Sequence, residues 1–267
     1  MCHSSSERGN GMNLTKRNYF SKKASREFIS VSQFKSFEKC PAAAIAEING
    51  KHQREKTTSL LVGSYVDSYF EGTLKSFTRQ NPEIFKKDGT LKAEYIQAQA
   101  IIERIEKDRL FMEYLSGEKQ VIMTGSINGV KVKIKVDSLL PDKIVDLKIM
   151  KDFENVWDSE KGSLPWFEAW EYDLQGAVYQ EIVRQNTGLL LPFYLAAATK
   201  EKVTDIDIVK ISQHMLDFNL DRFKQNVEMY DAIKLGFVEP DRCEKCEYCK
   251  KSKVLTQPTD SEEFYLI

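Results

Sequence analysis

Asp137, Asp146 and Lys148 fall in the line VKIKVDSLLPDKIVDLK, where two alternating apolar and polar runs flank a Pro141-Asp142 turn. Residues 130–136 alternate Val or Ile with Lys, the period of a β-strand, and residues 143–149 read as the next strand of the same meander. Neighbouring antiparallel strands can bring Asp137 and Asp146 together. Side chains two apart share a face, so Asp146 and Lys148 project together, while Leu147 turns into the core and leaves its carbonyl beside the acids. Two carboxylates and a backbone oxygen suit a hard divalent cation, Mg²⁺ or Mn²⁺. With a lysine alongside to face developing negative charge, the set matches what hydrolysis of a phosphodiester demands. Asp-x-Lys also occurs in strands as a solvated pair of little energetic weight, and that reading stays open on spacing alone.

A second constellation is Arg242-Cys243-Glu-Lys-Cys246-Glu-Tyr-Cys249, three thiols in a compact turn that can face one centre. Three ligands are one short, and Cys40, just ahead of Pro41, is the natural fourth if the ends of the chain meet. Five cysteines this unevenly spread do not read as a secreted disulfide framework.

The elements that must carry these residues follow from periodicity. Ser30 and Ser32 precede the spacing Phe34, Phe37, Cys40, the opening of a helix that Pro41 and the Ala-rich run after it continue or restart. Residues 60–74 and 91–115 read as further helices, with loop at 51–58 and a turn at Asp88-Gly89-Thr90. A strand from Gln120 ends at Asn128-Gly129, a favoured hairpin turn, and opens the antiparallel three-strand meander. Then come a helix over 172–185, a strand over 193–198, a strand near 207–212 and a helix over 216–235. The order predicts an α/β domain, a central mixed sheet flanked by helices.

The whole chain has 267 residues, 42% hydrophobic and 30% charged, enough for one elaborated domain and too apolar for disorder. Thirty-nine basic against forty acidic residues leave a net charge of −1, so contact with a nucleic acid must come from a local patch. No apolar run approaches the roughly 20 residues that span a bilayer, and the expectation is a soluble cytoplasmic protein with no membrane partner. Residues 1–27, rich in Ser and Gly at their start, are expected to be a disordered segment, 28–255 a single domain that includes the cysteines, and 256–267 a tail. His52 and His214 fit no motif. Lys133 and Lys135 read as a polar, solvated sheet face, and Glu118 either as an additional acid within reach of the site or as an ordinary strand-flanking residue.

Taken together, Gln33 to Pro41, the helix beginning Gly63-Ser-Tyr-Val-Asp67, the Asp137 and Asp146-x-Lys148 hairpin and Gln175-Gly-Ala-Val-Tyr179 make most of the chain resemble the PD-(D/E)xK nuclease superfamily, specifically its phage exodeoxyribonuclease VIII-like, RecE-type group. The resemblance implies a restriction-endonuclease-like core and a metal centre at Asp137, Asp146 and Lys148. It implies functional roles for Gln175 and Tyr179, four apart on one helix face. Relatives usually carry a histidine on the early helix where this chain has Asp67, which can still hold a hard metal but puts full activity in question. The implied function is Mg²⁺- or Mn²⁺-dependent exonucleolytic resection of linear duplex DNA for phage-type recombination, beside a single-strand annealing protein. A catalytically weak DNA-end-binding accessory protein, or an endonuclease of the same superfamily, are the alternatives. Related nucleases clamp a [4Fe-4S] cluster with one early and three late cysteines, which maps onto Cys40, Cys243, Cys246 and Cys249. The last spacing here is shorter than theirs and keeps Zn²⁺ in contention. Trp157, Trp166, Phe167 and Trp170, between the strands and the Gln175 helix, are either core residues or faces on which bases could stack. The oligomeric state is left open.

Overall fold

A computed structural model describes residues 12–53, 55, 57–258 and 260–262. The chain starts with helices α1 (Lys22–Glu27), α2 (Val31–Lys39), α3 (Pro41–Ile48), α4 (Thr58–Phe70), α5 (Leu74–Gln80), α6 (Ala93–Glu106) and α7 (Arg109–Tyr114). Strands β1 (Glu118–Ile127), β2 (Val130–Leu139) and β3 (Ile144–Met150) follow, then a small hairpin of β4 (Val156–Asp158) and β5 (Gly162–Leu164). Helices α8 (Trp166–Ala169) and α9 (Tyr172–Thr187) lead to β6 (Phe193–Thr199), β7 (Ile206–Lys210), α10 (Gln213–Leu235) and α11 (Glu247–Lys251).

The central sheet runs β1-β2-β3-β6-β7, antiparallel except where β6 lies parallel to β3. The mixed α/β architecture expected from the order of elements is therefore present. Asn128 and Gly129 both take positive φ, 49° and 78°, the primed turn whose twist matches a hairpin. Antiparallel β2 and β3 share only two ladder pairs, Ser138 with Val145 and Leu139 with Ile144, before they part. That early parting opens the sheet beside Asp137 and Asp146.

Two apolar layers clamp the sheet. On one face Val132, Ile134, Val136, Phe193 and Leu195 pack against Leu174, Val178 and Ile182 of α9, with Phe34 of α2 stacked at 4.3 Å on Phe223 of α10. On the other, Val145, Leu147, Ala196 and Ala198 meet Val62, Tyr65 and Val66 of α4 and Ile101, Ile102 and Ile105 of α6. Each large aliphatic or aromatic side chain so buried contributes about 1.5–3 kcal/mol. Gly176 lets α9 lie close to the sheet, since a Cβ there would run into the ring of Phe193.

Several expectations change. The N-terminal segment is not disordered throughout: 12–27 are described, with α1 capped by Ser21 and Tyr19 buried, because these residues pack over β2. Residues 1–11, with Cys2 and His3, lie outside the described residues, as do 263–267 of the tail. The helix read over 91–115 is two, since the Asp108 carboxylate accepts from Phe111 N at 2.9 Å and caps a new one. Pro41 restarts a helix because Cys40 is extended between α2 and α3. The β4–β5 hairpin was too short to leave a periodic signal. Among the described residues no helix is long and apolar enough to cross a membrane.

Candidate active site and cysteine centre

Asp67, Asp137, Asp146, Leu147, Lys148, Gln175 and Tyr179 line one cleft of about 370 Å³. Four elements deliver them: α4 carries Asp67, β2 carries Asp137, β3 carries Asp146, Leu147 and Lys148, and α9 carries Gln175 and Tyr179.

Asp137 turns its carboxylate into the opening between β2 and β3, where Oδ2 accepts from Leu147 N at 3.1 Å and Oδ1 from Gln120 Nε2 at 3.0 Å. In a strand the N–H and C=O of one residue point to the same edge, so the Leu147 carbonyl faces this opening as well. Gln120 went unnoticed in the sequence. It sits in β1 directly across from Asp137, between the pairs Lys119 with Ser138 and Val121 with Val136, with φ of 57°. A left-handed glutamine inside a strand costs on the order of 1–3 kcal/mol, a cost the neighbouring structure must offset. Its Oε1 is buried with no hydrogen-bond partner.

Asp146 is 2% exposed. Its Oδ1 accepts from Gln175 Nε2 at 2.7 Å, and its Oδ2 is in an ion pair with Lys148 Nζ. Burial, together with the charge of Asp137, pushes its pKa up to about 7 in spite of Lys148. Burial opposes the charge of Lys148, but Asp146 and Asp137 outweigh it, and the lysine stays protonated above its ordinary range. The Tyr172 ring lies 4.6 Å below the ammonium. Asp67 is raised well above the usual carboxylate range by burial, by Asp137, and by Glu71 and Asp146, against the pull of Lys148. Glu71, a further acid not anticipated, is raised by burial and by Asp137 and is paired with Lys135 at 4.0 Å.

Tyr179 lines the cleft, yet its hydroxyl donates to the Lys135 carbonyl at 3.1 Å, which ties α9 to β2. Lys133 is not solvated. It is buried, donates to the Tyr19 carbonyl at 2.6 Å and lies 4.6 Å from the Tyr19 ring, because the segment ahead of α1 folds over it. Tyr19, Phe20 and Lys35 complete the cleft wall. No motif marked Tyr19 or Phe20, and the Gln33 to Pro41 signature did not single out Lys35, since these side chains approach only when α1 and α2 dock on the sheet. Glu118 is exposed at the start of β1 and does not line the cleft.

Among the described residues, the acid oxygens do not form a set of three or more within 4.8 Å of one another. The donor chemistry nonetheless fits a hard divalent cation: three carboxylates and a strand carbonyl share a cleft, and Asp67 and Asp146 are raised by burial first and by the neighbouring acids second. Asp67, Asp137, Asp146 and the Leu147 carbonyl would hold it.

At the far end of α2, Cys40, Cys243, Cys246 and Cys249 bring their sulfurs within 4.8 Å of one another. Cys40 and Cys249 are buried with Sγ atoms 3.6 Å apart, and Cys243 lies 4.0 Å from Cys249. The backbone N–H of Cys246 points at Cys243 Sγ at 3.3 Å, and that of Cys249 at Cys246 Sγ at 3.4 Å. Donors from Lys245 and Cys246 hold the Cys243 thiol down to about 6, and burial pushes Cys246 up to about 12. This group can bind a metal ion.

Residues 30–252 match a family described as a PDDEXK-like domain of unknown function (DUF3799). The chain belongs to this family. The PDDEXK-like fold is also that of a crystal structure described as "Putative exonuclease" from Eubacterium rectale, with 48% identity, a TM-score of 0.92, and coverage of 95% of this chain and 98% of that one. No curated protein matches the chain. The family and this structural neighbour together support a nuclease.

Proposed function

We propose that the protein is a Mg²⁺- or Mn²⁺-dependent deoxyribonuclease that hydrolyses phosphodiester bonds from the ends of linear duplex DNA. The observation that carries this reading is the meeting of Asp67, Asp137, Asp146 and Lys148 in one cleft; the name given to the Eubacterium rectale relative supports exonucleolytic action.

The cation, when bound, would polarise the phosphoryl oxygen and lower the pKa of a water. Asp137 and Asp146 hold their carboxylates ready through bonds from Leu147 N, Gln120 and Gln175. Lys148 is held protonated, so it acts as a fixed positive charge that orients the scissile phosphate and the attacking oxygen rather than as a base. In the reaction a water oxygen gives up a proton to solvent and bonds to phosphorus, the bond to the leaving sugar oxygen breaks, and that oxygen takes a proton from solvent. Gln175 positions Asp146, and Tyr179 positions α9. A resected end is a substrate for a single-strand annealing protein, the partner this reading implies in phage-type recombination, and reduced thiols fit a cytoplasmic setting.

For the cysteine centre we propose one tetrahedral Zn²⁺. Thiolates about 2.3 Å from a single ion stand about 3.8 Å from each other, which agrees with the 3.6 and 4.0 Å separations, whereas the corners of a [4Fe-4S] cube hold sulfurs further apart.

The test is digestion of linear and of covalently closed duplex with Mg²⁺, Mn²⁺ or EDTA, with Asp146→Ala and Lys148→Ala controls. Metal-dependent loss of linear DNA alone, absent in both variants, is expected. Cleavage of closed circles would make the enzyme an endonuclease, and binding without cleavage an accessory protein.

A further inference from the structure

A cavity of about 460 Å³, within the roughly 300–1,000 Å³ range of small-ligand pockets, lies beside the catalytic cleft and has no part in the chemistry above. Its walls are aromatic and apolar: Leu60, Val156, Trp166, Trp170 and Tyr172. Trp170 is 54% exposed and Leu60 63%, an unusual amount of wet apolar surface in one place. Two residues join this cavity to the cleft. Tyr172 carries the Lys148 ammonium 4.6 Å over its ring, while its hydroxyl reaches Met150 Sδ, another wall atom, at 3.6 Å. Lys35, a cleft residue, donates from Nζ to the Trp170 carbonyl at 2.8 Å.

The rim is of mixed charge. Lys151 pairs with Asp152 at 2.9 Å, Lys200 donates to Ser59 Oγ at 2.6 Å, and Glu154 is also present. Such a rim draws a phosphate chain weakly, but an aromatic floor one residue from the phosphate-facing lysine suits a base. We propose that the cavity takes an unpaired nucleobase of the polynucleotide whose phosphate is held at Asp146 and Lys148, with Trp170 as its stacking face. This rests on the nuclease reading. Every base has a π-face, so the site is tolerant of sequence, and loss of one stacking partner weakens binding about tenfold.

The chain's tryptophans make the test direct. Of the three, Trp166 is buried and Trp157, 77% exposed, is not among the cavity walls. Full-length protein is titrated with oligodeoxythymidylate in EDTA, which prevents cleavage, and tryptophan fluorescence is followed. Quenching is expected in the wild type and in Trp157→Phe, and is lost in Trp170→Phe; Trp170→Ala raises the Kd about tenfold. Unchanged quenching in Trp170→Phe, or an unchanged Kd in Trp170→Ala with wild-type urea unfolding, overturns the proposal. So does retention of a protein partner that Trp170→Ala loses while its DNA affinity stays the same. Quenching without any metal-dependent cleavage would fail the nuclease reading and leave the base site standing, whereas cleavage sensitive to Asp146→Ala with no Trp170 effect would fail the base site alone.

Discussion

The Asp137 carboxylate accepts the backbone N–H of Leu147 at 3.1 Å, just past the point where β2 and β3 stop pairing. A side chain thus continues a ladder that the backbones abandon, and the acid is fixed by the same bond that stabilises the splayed strand. Asp137→Ala leaves a buried N–H without a partner and is expected to cost about 1–3 kcal/mol. Asp137→Asn keeps one acceptor oxygen, and rotation of the Gln120 amide can offer its orphaned Oε1 to the new NH₂, so its cost is expected to be about 1 kcal/mol or less. Both variants should lose cleavage about 100-fold or more. Urea unfolding beside a nuclease assay separates the two effects; equal stability of the two variants would contradict this account.

Asp67 is buried and faces Asp137, Glu71 and Asp146, with Lys148 in opposition. Without divalent ions, Asp67→Asn removes a repelled charge and is expected to raise Tm. Mg²⁺ should then stabilise the wild type more than the variant, in proportion to the logarithm of free ion over Kd. Thermal melts with EDTA and with Mg²⁺ give the answer independently of activity. An identical Mg²⁺ response in both proteins would remove Asp67 from the metal site.

Gly176 sits between Gln175 and the Phe193 ring on which α9 rests. Gly176→Ala forces the helix off the sheet at an expected cost of about 1–3 kcal/mol. Because Gln175 then draws away from Asp146 Oδ1, cleavage should fall more than stability does. A variant with full activity and a lowered urea midpoint would show that the Gln175 bond is dispensable.

Burial lowers the pKa of Lys133 from 10.5 to about 8, with Lys234 adding to the shift, and the Tyr19 carbonyl and ring are its contacts. Between pH 8 and 10.5 the unfolded chain holds more protons than the folded one, so stability rises with pH across that window and is flat below it. Lys133→Met should be more stable than the wild type at pH 7 and should flatten part of the rise. Lys35, lowered by burial to about 8, and Lys119, Lys200 and Lys234, lowered by burial as well, contribute with the same sign. Urea midpoints from pH 7 to 10 test this, and a wild-type midpoint that falls steadily from pH 8 to 10 would refute it.

The four cysteines tie α2 to the last helix across a loop of about 200 residues. Freshly purified protein is expected to carry one equivalent of zinc, colourless, and Cys249→Ser, which removes a buried ligand, should lose it together with several degrees of Tm. Elemental analysis decides; iron and sulfide in place of zinc would establish a cluster instead.

The period-two run at 130–136, the Asn128-Gly129 turn and the Asp146-x-Lys148 spacing were legible because strand geometry dictates which neighbours share a face, and that geometry is local. The same is true of the cysteine turn at 243–249. Where β2 and β3 part, that β6 lies parallel to β3, and that α4 brings Asp67 to the opening from the far layer were decided by packing between residues distant in the chain. Gln120 and Tyr19 carry no local pattern, and the signature around Lys35 does not say that its side chain enters the cleft, so only docking of β1, the N-terminal segment and α2 reveals them. The identity of the reacting groups is thus a property of short stretches of sequence, while their protonation and the shape of the cleft arise from burial, which no short stretch contains.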